Sequence, residues 1–213
     1  PPQHMLSTDE HGFYRWFADG KLNTCHLALD HWVAEGRGDQ TALIYDSPVT
    51  GIVKRFSYRT LLEETARFAG VLKKLGVEKG DRIIIYMPMV PEVAIAMLAC
   101  ARLGAVHSVV FGGFAAHELA LRIDDAQPKL LLTASAGMEF DKIVPYKPIV
   151  EKALEESSFK VQNVLLLQRP FLPVESDGNL FLDWADLLED AEAADCVPVA
   201  ATDPLYILYT SGT

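Results

Sequence analysis

The 213-residue chain is short of cysteine, of positive charge and of uninterrupted apolar sequence. Its three cysteines, Cys25, Cys100 and Cys196, are odd in number and form no C-x-x-C pair, which disfavours a disulfide framework or a cysteine-built metal site. Buried, inert thiols in a reducing compartment are the expectation. No metal ligands are assigned, because His26 and His31 stand five apart rather than at the spacing of four that puts two imidazoles on one helix face. Lys and Arg number 19 against 29 Asp and Glu, a formal net charge of −10, and no basic run offsets this locally. Nucleic acid and anionic lipid are therefore poor partners, although a small anionic ligand held by backbone amides is compatible with the charge. The most apolar stretch, residues 83 to 111, is broken by Pro88, Pro91, Glu92, Arg102 and His107 and does not read as a membrane span. The opening PPQHMLSTDEHG lacks the charged-then-apolar pattern of a signal peptide. The expectation is a soluble protein of the cytoplasm, or of the mitochondrial matrix in a eukaryote.

What the chain does have is 50% hydrophobic residues arranged with changing period. Residues 1 to 36 are rich in aromatics (Phe13, Tyr14, Trp16, Phe17, Trp32) without a long period, and read as an arm with a short helix at 25 to 35 covering a larger body. TALIY and VKRFSY flank SPVTG and read as a hairpin. From Ser57, a cap, Leu61, Thr65, Phe68, Leu72 and Leu75 recur at helical steps until Gly76. RIIIYM follows as a continuous apolar run, the pattern of a parallel strand covered on both faces.

The alternation then repeats. Pro91 opens a helix that stops at Gly104, AVHSVVF is a strand, AAHELALRIDDA a helix, and KLLLT a strand. A helix near 146 to 156, the strand VQNVLLL, the short helix DWADLLED and the strand-like YILYT complete the pattern. Such alternation implies an α/β fold: an open, mainly parallel sheet with helices on both faces, preceded by the arm and the hairpin. Residues 170 to 200 otherwise read as a surface excursion.

In sheets of this type ligands bind beyond the carboxyl ends of the strands. Three segments stand there. Thr210-Ser211-Gly212-Thr213 follows YILY, and its hydroxyls and glycine can converge on phosphate oxygens; a polar turn ending a strand reads about equally well. Phe111-Gly112-Gly113 follows SVV and enters a helix, but no G-x-G-x-x-G fingerprint is completed and no G-x-x-x-x-G-K-[ST] loop occurs. From spacing alone this is a tight packing turn before it is a ligand turn. Pro88 and Pro91 stiffen the start of the first helix. Lys142, Tyr146 and Lys147 lie near the helix after KLLLT, where a solvated basic face is the plain reading.

These residues carry a resemblance. YILYTSGT resembles the opening of the AMP-binding signature of adenylate-forming enzymes, and YMPMVPEVAIAMLACARLGAVHSVVFGGFAAHELALRIDDAQPKLL resembles short-chain acyl-CoA synthetases. RWF, LNTCHLALDHW, ACARLGAVHSVVFGGF, RIDDA and KIVPYKP are more similar to propionyl-CoA than to acetyl-CoA synthetases. The resemblance covers nearly the whole chain and only the N-terminal part of such an enzyme, with 1–36 as the arm and 37–213 as the start of the AMP-binding α/β domain.

The resemblance implies ATP-dependent activation of a short-chain carboxylate, propionate favoured, to acyl-AMP, followed by transfer to coenzyme A. It implies Thr210, Ser211, Gly212 and Thr213 as holders of ATP phosphates, and Phe111, Gly112, Gly113 and Lys142 as part of the coenzyme A site. Glu139 and Asp141 stand where relatives often carry arginine or neutral residues. The Mg²⁺ ligands, the acyl pocket and the catalytic lysine are expected beyond Thr213, so no catalytic residue is assigned here and this sequence by itself is expected not to turn over. Two alternatives stay open: an acetate- or butyrate-specific synthetase, and a non-catalytic α/β module that binds nucleotide or coenzyme A.

Overall fold

The structure, a computed structural model, describes residues 2–113, 115–139 and 141–210. At the N-terminus β1 (Leu6–Thr8) and β2 (Tyr14–Trp16) form an antiparallel ribbon. Its aromatics do not cover the body as expected: Trp16 is 61% exposed and Tyr14 72%. Then come β3 (Lys21–Leu22) and two helical turns wider than α-helical ones, His26–Asp30 and Val33–Arg37, where the arm helix was expected. β4 (Thr41–Ser47) and β5 (Ile52–Ser57) make the expected antiparallel hairpin. α1 (Tyr58–Lys74) starts where Ser57 caps it, the serine hydroxyl accepting the Thr60 N–H at 3.1 Å.

The body continues with β6 (Arg82–Met87), α2 (Pro91–Leu103), β7 (Val106–Phe111), α3 (Ala116–Ala126) and β8 (Leu130–Ala134). A small hairpin follows, β9 (Ala136–Glu139) against β10 (Lys142–Pro145), then α4 (Lys147–Glu156) and β11 (Asn163–Leu167). The chain goes on through β12 (Phe181–Asp183), α5 (Trp184–Glu189) and β13 (Val199–Ala200), the last pairing antiparallel with β3. Five strands form one parallel sheet in the order β12-β11-β8-β6-β7.

β6 is the axis of the core. Ile83, Ile85 and Met87 point into a layer shared with α1, α2 and Trp184 of α5, while Ile84 and Tyr86 point into a second layer with α3 and α4. Each fully buried aliphatic side chain there contributes about 1.5–3 kcal/mol, which is why the strand reads as an unbroken apolar run. The ring of Phe68 stacks on Trp184 with centroids 3.8 Å apart, tying α1 to α5.

Three differences from the sequence reading have physical causes. YILYT does not form a regular strand: only Tyr206 makes a parallel bridge, to His107 on the free edge of β7. The surrounding residues alternate between half-buried and exposed, with Leu208 70% exposed, so nothing among the described residues covers a second face. The β9–β10 hairpin interrupts the path from β8 to α4. Finally, part of the supposed surface excursion is structural: Phe181–Asp183 adds a strand, and the stretch after α5 packs on α1. That approach depends on Gly70, where a Cβ would stand 1.7 Å from the Glu192 carbonyl oxygen. Beside it the Ala194 N–H donates to the Ala66 carbonyl at 2.9 Å.

Candidate functional site at the carboxyl rim of the sheet

Since the sheet is parallel, the ends of β6, β7 and β8 open on one rim, and α2 and α3 begin there. α4 is brought to the same rim because the Tyr146 N–H just before it donates to the Ser135 carbonyl just after β8, at 3.1 Å. No helix among the described residues is long and apolar enough to cross a membrane.

Phe111, Gly112 and Gly113 form the turn that leaves β7 at this rim. The Tyr86 hydroxyl, rising from inside the sheet, donates to the Gly112 carbonyl at 3.1 Å. The Tyr86 and Tyr146 rings meet with centroids 5.1 Å apart. A Cβ on Gly112 would stand 2.3 Å from the Tyr146 hydroxyl oxygen, and one on Gly137 would stand 2.8 Å from it. Gly112 is therefore required by close approach to a buried phenol, whatever else the turn does. Both tyrosines are held protonated: burial raises the pKa of each, and at Tyr146 the Glu139 carboxylate adds to that effect. The turn packs directly on a floor of two phenols. Phe111, 69% exposed, projects from its edge. Tyr86 was read only as part of a buried strand; its fixing role depends on a contact 26 residues away that no local period reveals.

Lys142 opens β10 and is exposed. Its register partner across the hairpin is Glu139, and among the described residues it makes no ion pair. The acidic neighbour noted in the sequence thus stands directly across the ladder from the cation. Lys147, by contrast, is engaged: its ammonium bonds Glu151 at 2.5 Å and lies over the Phe181 ring. It is a structural cation rather than a free one.

At the other end of the assigned set, Thr210 is exposed, and Ser211, Gly212 and Thr213 lie outside the described residues. The approach to them is fixed by two backbone bonds to β7: the His107 N–H donates to Leu205 O at 3.3 Å and the Ile207 N–H to His107 O at 2.9 Å. The Tyr209 hydroxyl bonds Asp125 at 2.5 Å while Arg122 lies over its ring. His107, beneath Tyr206, is buried with its Nδ1 unpartnered, and burial pushes its pKa down to about 4. It stays neutral at physiological pH. Two hollows lie elsewhere, at the amino rim. One is bounded by Ala101, Gly104 and Val199, the other by Arg82, Gln127 and Gln162.

Away from the rim, the structure gathers residues that spacing kept apart. Cys25, Asp30 and Cys196 place one ligand atom each within 4.8 Å of one another. At their centre is the Arg102 guanidinium. A cation already fills this cluster, and its two sulfurs are unsuited to Mg²⁺, which demands octahedral oxygen. It is the one group of three or more His, Cys, Asp or Glu side chains gathered in this way among the described residues.

Residues 29–213 match the family model described as AMP-binding enzyme. Over 212 residues the chain is 62% identical to an uncharacterized protein of Pseudomonas aeruginosa, covering 100% of the chain and 34% of that protein. It is 48% identical over 200 residues to the human mitochondrial acyl-CoA synthetase short-chain family member 3, covering 93% of the chain and 29% of the relative. It is 45% identical over 215 residues to acetyl-coenzyme A synthetase of Pasteurella multocida, covering 100% and 32% respectively. Acetoacetyl-CoA synthetase from Streptomyces lividans superposes with a TM-score of 0.87 at 26% identity, over 100% of the chain and 32% of that structure. The chain thus spans about a third of the length of the relatives it matches.

Proposed function

The chain belongs to the AMP-binding enzyme family, and from that premise we propose that it is the N-terminal part of an AMP-forming short-chain acyl-CoA synthetase. The proposed reaction has two steps. A carboxylate oxygen attacks the α-phosphorus of ATP, giving acyl-AMP and pyrophosphate. The thiolate of coenzyme A then attacks the acyl carbon and AMP leaves, giving the thioester. Propionate is the proposed acid, on overall similarity; discrimination by one methylene is worth only ~1–3 kcal/mol. The proposed setting is the cytoplasm or the mitochondrial matrix.

In this reading Thr210, Ser211, Gly212 and Thr213 hold ATP phosphates through hydroxyl and backbone donors. Phe111, Gly112, Gly113 and Lys142 line the coenzyme A nucleotide. Mg²⁺ would screen the phosphate charge, held by residues beyond this sequence. The arm (1–36) and the α/β part (37–213) are proposed to belong to a larger synthetase, and the 213 residues alone to be inactive.

The observation that carries the proposal is the Gly112 cradle. It is a backbone turn at the carboxyl rim of a parallel sheet, bonded by Tyr86 and closely approached by Tyr146, with an exposed aromatic and a lysine-bearing hairpin nearby. A panel of acetate, propionate and butyrate run on the full-length protein, read by pyrophosphate release, tests it. Release with propionate most efficient is expected, and no release with any of the three would refute the proposal.

A further inference from the structure

The two cysteines farther apart than any helix or strand could bring them are neighbours in space. Cys25 begins the wide helical turns of the arm and is fully buried. Cys196 lies in the connection before β13 and is partly exposed. One nitrogen of Arg102, on the last turn of α2, lies 3.5 Å from the Cys25 Sγ and 3.0 Å from the Cys196 Sγ. The same guanidinium grips Asp30 at 2.8 and 3.0 Å and donates to the Ala194 carbonyl at 2.6 Å. Asn23 fixes the flanks by donating to the carbonyls of Ala101, Arg102 and Val197. Both sulfurs are thus held, by different segments, on one cation.

We propose that Cys25 and Cys196 are a reversible oxidation site, closed to a disulfide by a peroxide. Three observations carry this. The sulfurs lie within 4.8 Å of each other, a gap that side-chain rotation can reduce towards the ~2.05 Å of a disulfide. A guanidinium beside a thiol favours the thiolate, which is the reactive form. The inner member of the pair is sealed from solvent while the outer one is reachable, so oxidation starts at Cys196 and is resolved from within. The Cys196 thiol as donor and the Arg102 guanidinium hold the Cys25 pKa below the usual thiol range against burial, while the same hydrogen bond and burial push the Cys196 thiol up, so at rest the charge of the pair lies on the inner sulfur.

In the singly deprotonated pair the proton of the Cys196 thiol first passes along its hydrogen bond to Cys25, which leaves the charge on the outer sulfur. That sulfur attacks a peroxide oxygen; the S–O bond forms, the O–O bond breaks, and the departing hydroxide takes the proton from Cys25 to leave as water. The Cys25 thiolate then attacks the Cys196 sulfur. The S–S bond forms, the S–O bond breaks, and the second hydroxide is protonated by solvent. Two thiols lose two electrons and one peroxide becomes two waters. A metal ion is the rival occupant of this cluster, but Arg102 already stands where it would bind.

The test is stoichiometric hydrogen peroxide on the reduced protein, followed by thiol titration and non-reducing peptide mapping. Two thiols per molecule should be lost, a peptide joining Cys25 to Cys196 should appear, and dithiothreitol should restore both thiols. Cys100→Ser should leave this unchanged, since burial pushes the Cys100 thiol up to about 12 and keeps it unreactive. Cys25→Ser should instead drive Cys196 to sulfinic acid. Over-oxidation of Cys196 in the native protein with Cys25 still free would overturn the proposal, as would links between molecules through Cys196. Protection of both thiols by added Zn²⁺ would assign the cluster to metal binding and overturn it equally.

Discussion

The α/β body and the segments that wrap its amino rim are held in different ways. In the body, β6, β7 and β8 with α1 to α4 are joined by apolar layers in which Ile83, Ile84, Ile85, Leu130, Leu131 and Leu132 are fully buried. The arm and the stretch from 190 to 205 add Cys25, Leu29 and Ala194 to one of these layers, and they are also tied down by polar contacts converging on the end of α2. Asn23 satisfies three carbonyls there, and Arg102 binds a carboxylate, a carbonyl and two sulfurs. Non-directional burial tolerates exchange among similar side chains. A convergent polar centre does not, because each lost partner leaves another buried group unsatisfied.

The strongest way to break this comparison is Arg102→Met. Removing one partner of a buried ion pair costs about 3–5 kcal/mol, and amide exchange should quicken across 21–37 and 190–205 while β6 and β8 stay protected. Equal loss of protection in β6 and β8 would show that the two regions are one cooperative unit. A second test uses His107, at the seam where the final segment meets β7. Its folded pKa of about 4 lies below the unfolded value near 6.5, so the unfolded state binds the extra proton between those values. Its contribution is complete above pH 6.5 and lost as pH falls to about 4, by about 3 kcal/mol. Denaturation of His107→Gln should show a shallower loss across that window than the native protein.

Smaller effects sharpen the picture. Gly70→Ala forces a methyl group against the Glu192 carbonyl and should cost about 1–3 kcal/mol, read as a lower denaturant midpoint with faster exchange at Ala194. Ser57→Ala removes the α1 cap and should cost about 1 kcal/mol, lowering the midpoint without selective loosening of the arm. At the proposed site, Lys142→Glu in the full-length protein should raise the apparent coenzyme A constant and leave ATP–pyrophosphate exchange nearly unchanged. Equal damage to both steps would count against the role proposed for Lys142.

What the sequence made legible divides along the same line. α1 between Ser57 and Gly76, RIIIYM, the Pro91-to-Gly104 helix and the turn at Gly112 were all readable because period, cap and breaker are local signals. YILYT misled because composition reports strand propensity and not whether a neighbour exists; one bridge at Tyr206 is all that forms. The β9–β10 hairpin was hidden because its tip, Glu139 to Lys142, carries no Asn-Gly or Gly-rich turn signal. Lys142 does lie near the start of α4, as read, but on a strand opposite Glu139 that the sequence did not announce. Contacts such as Tyr86 with Gly112, or Arg102 with Asp30 at a separation of 72 residues, leave no periodic trace.

Parallel strands oblige each following helix to run back, so α2, α3 and α4 all begin on the rim that carries Gly112. Their peptide dipoles point the same way, so each adds partial positive charge to that rim where it starts. That contribution is written in the main chain and titrates with nothing, whereas the carboxylates of Glu92 and Glu118, in the first turns of α2 and α3, offset it only while they are ionised.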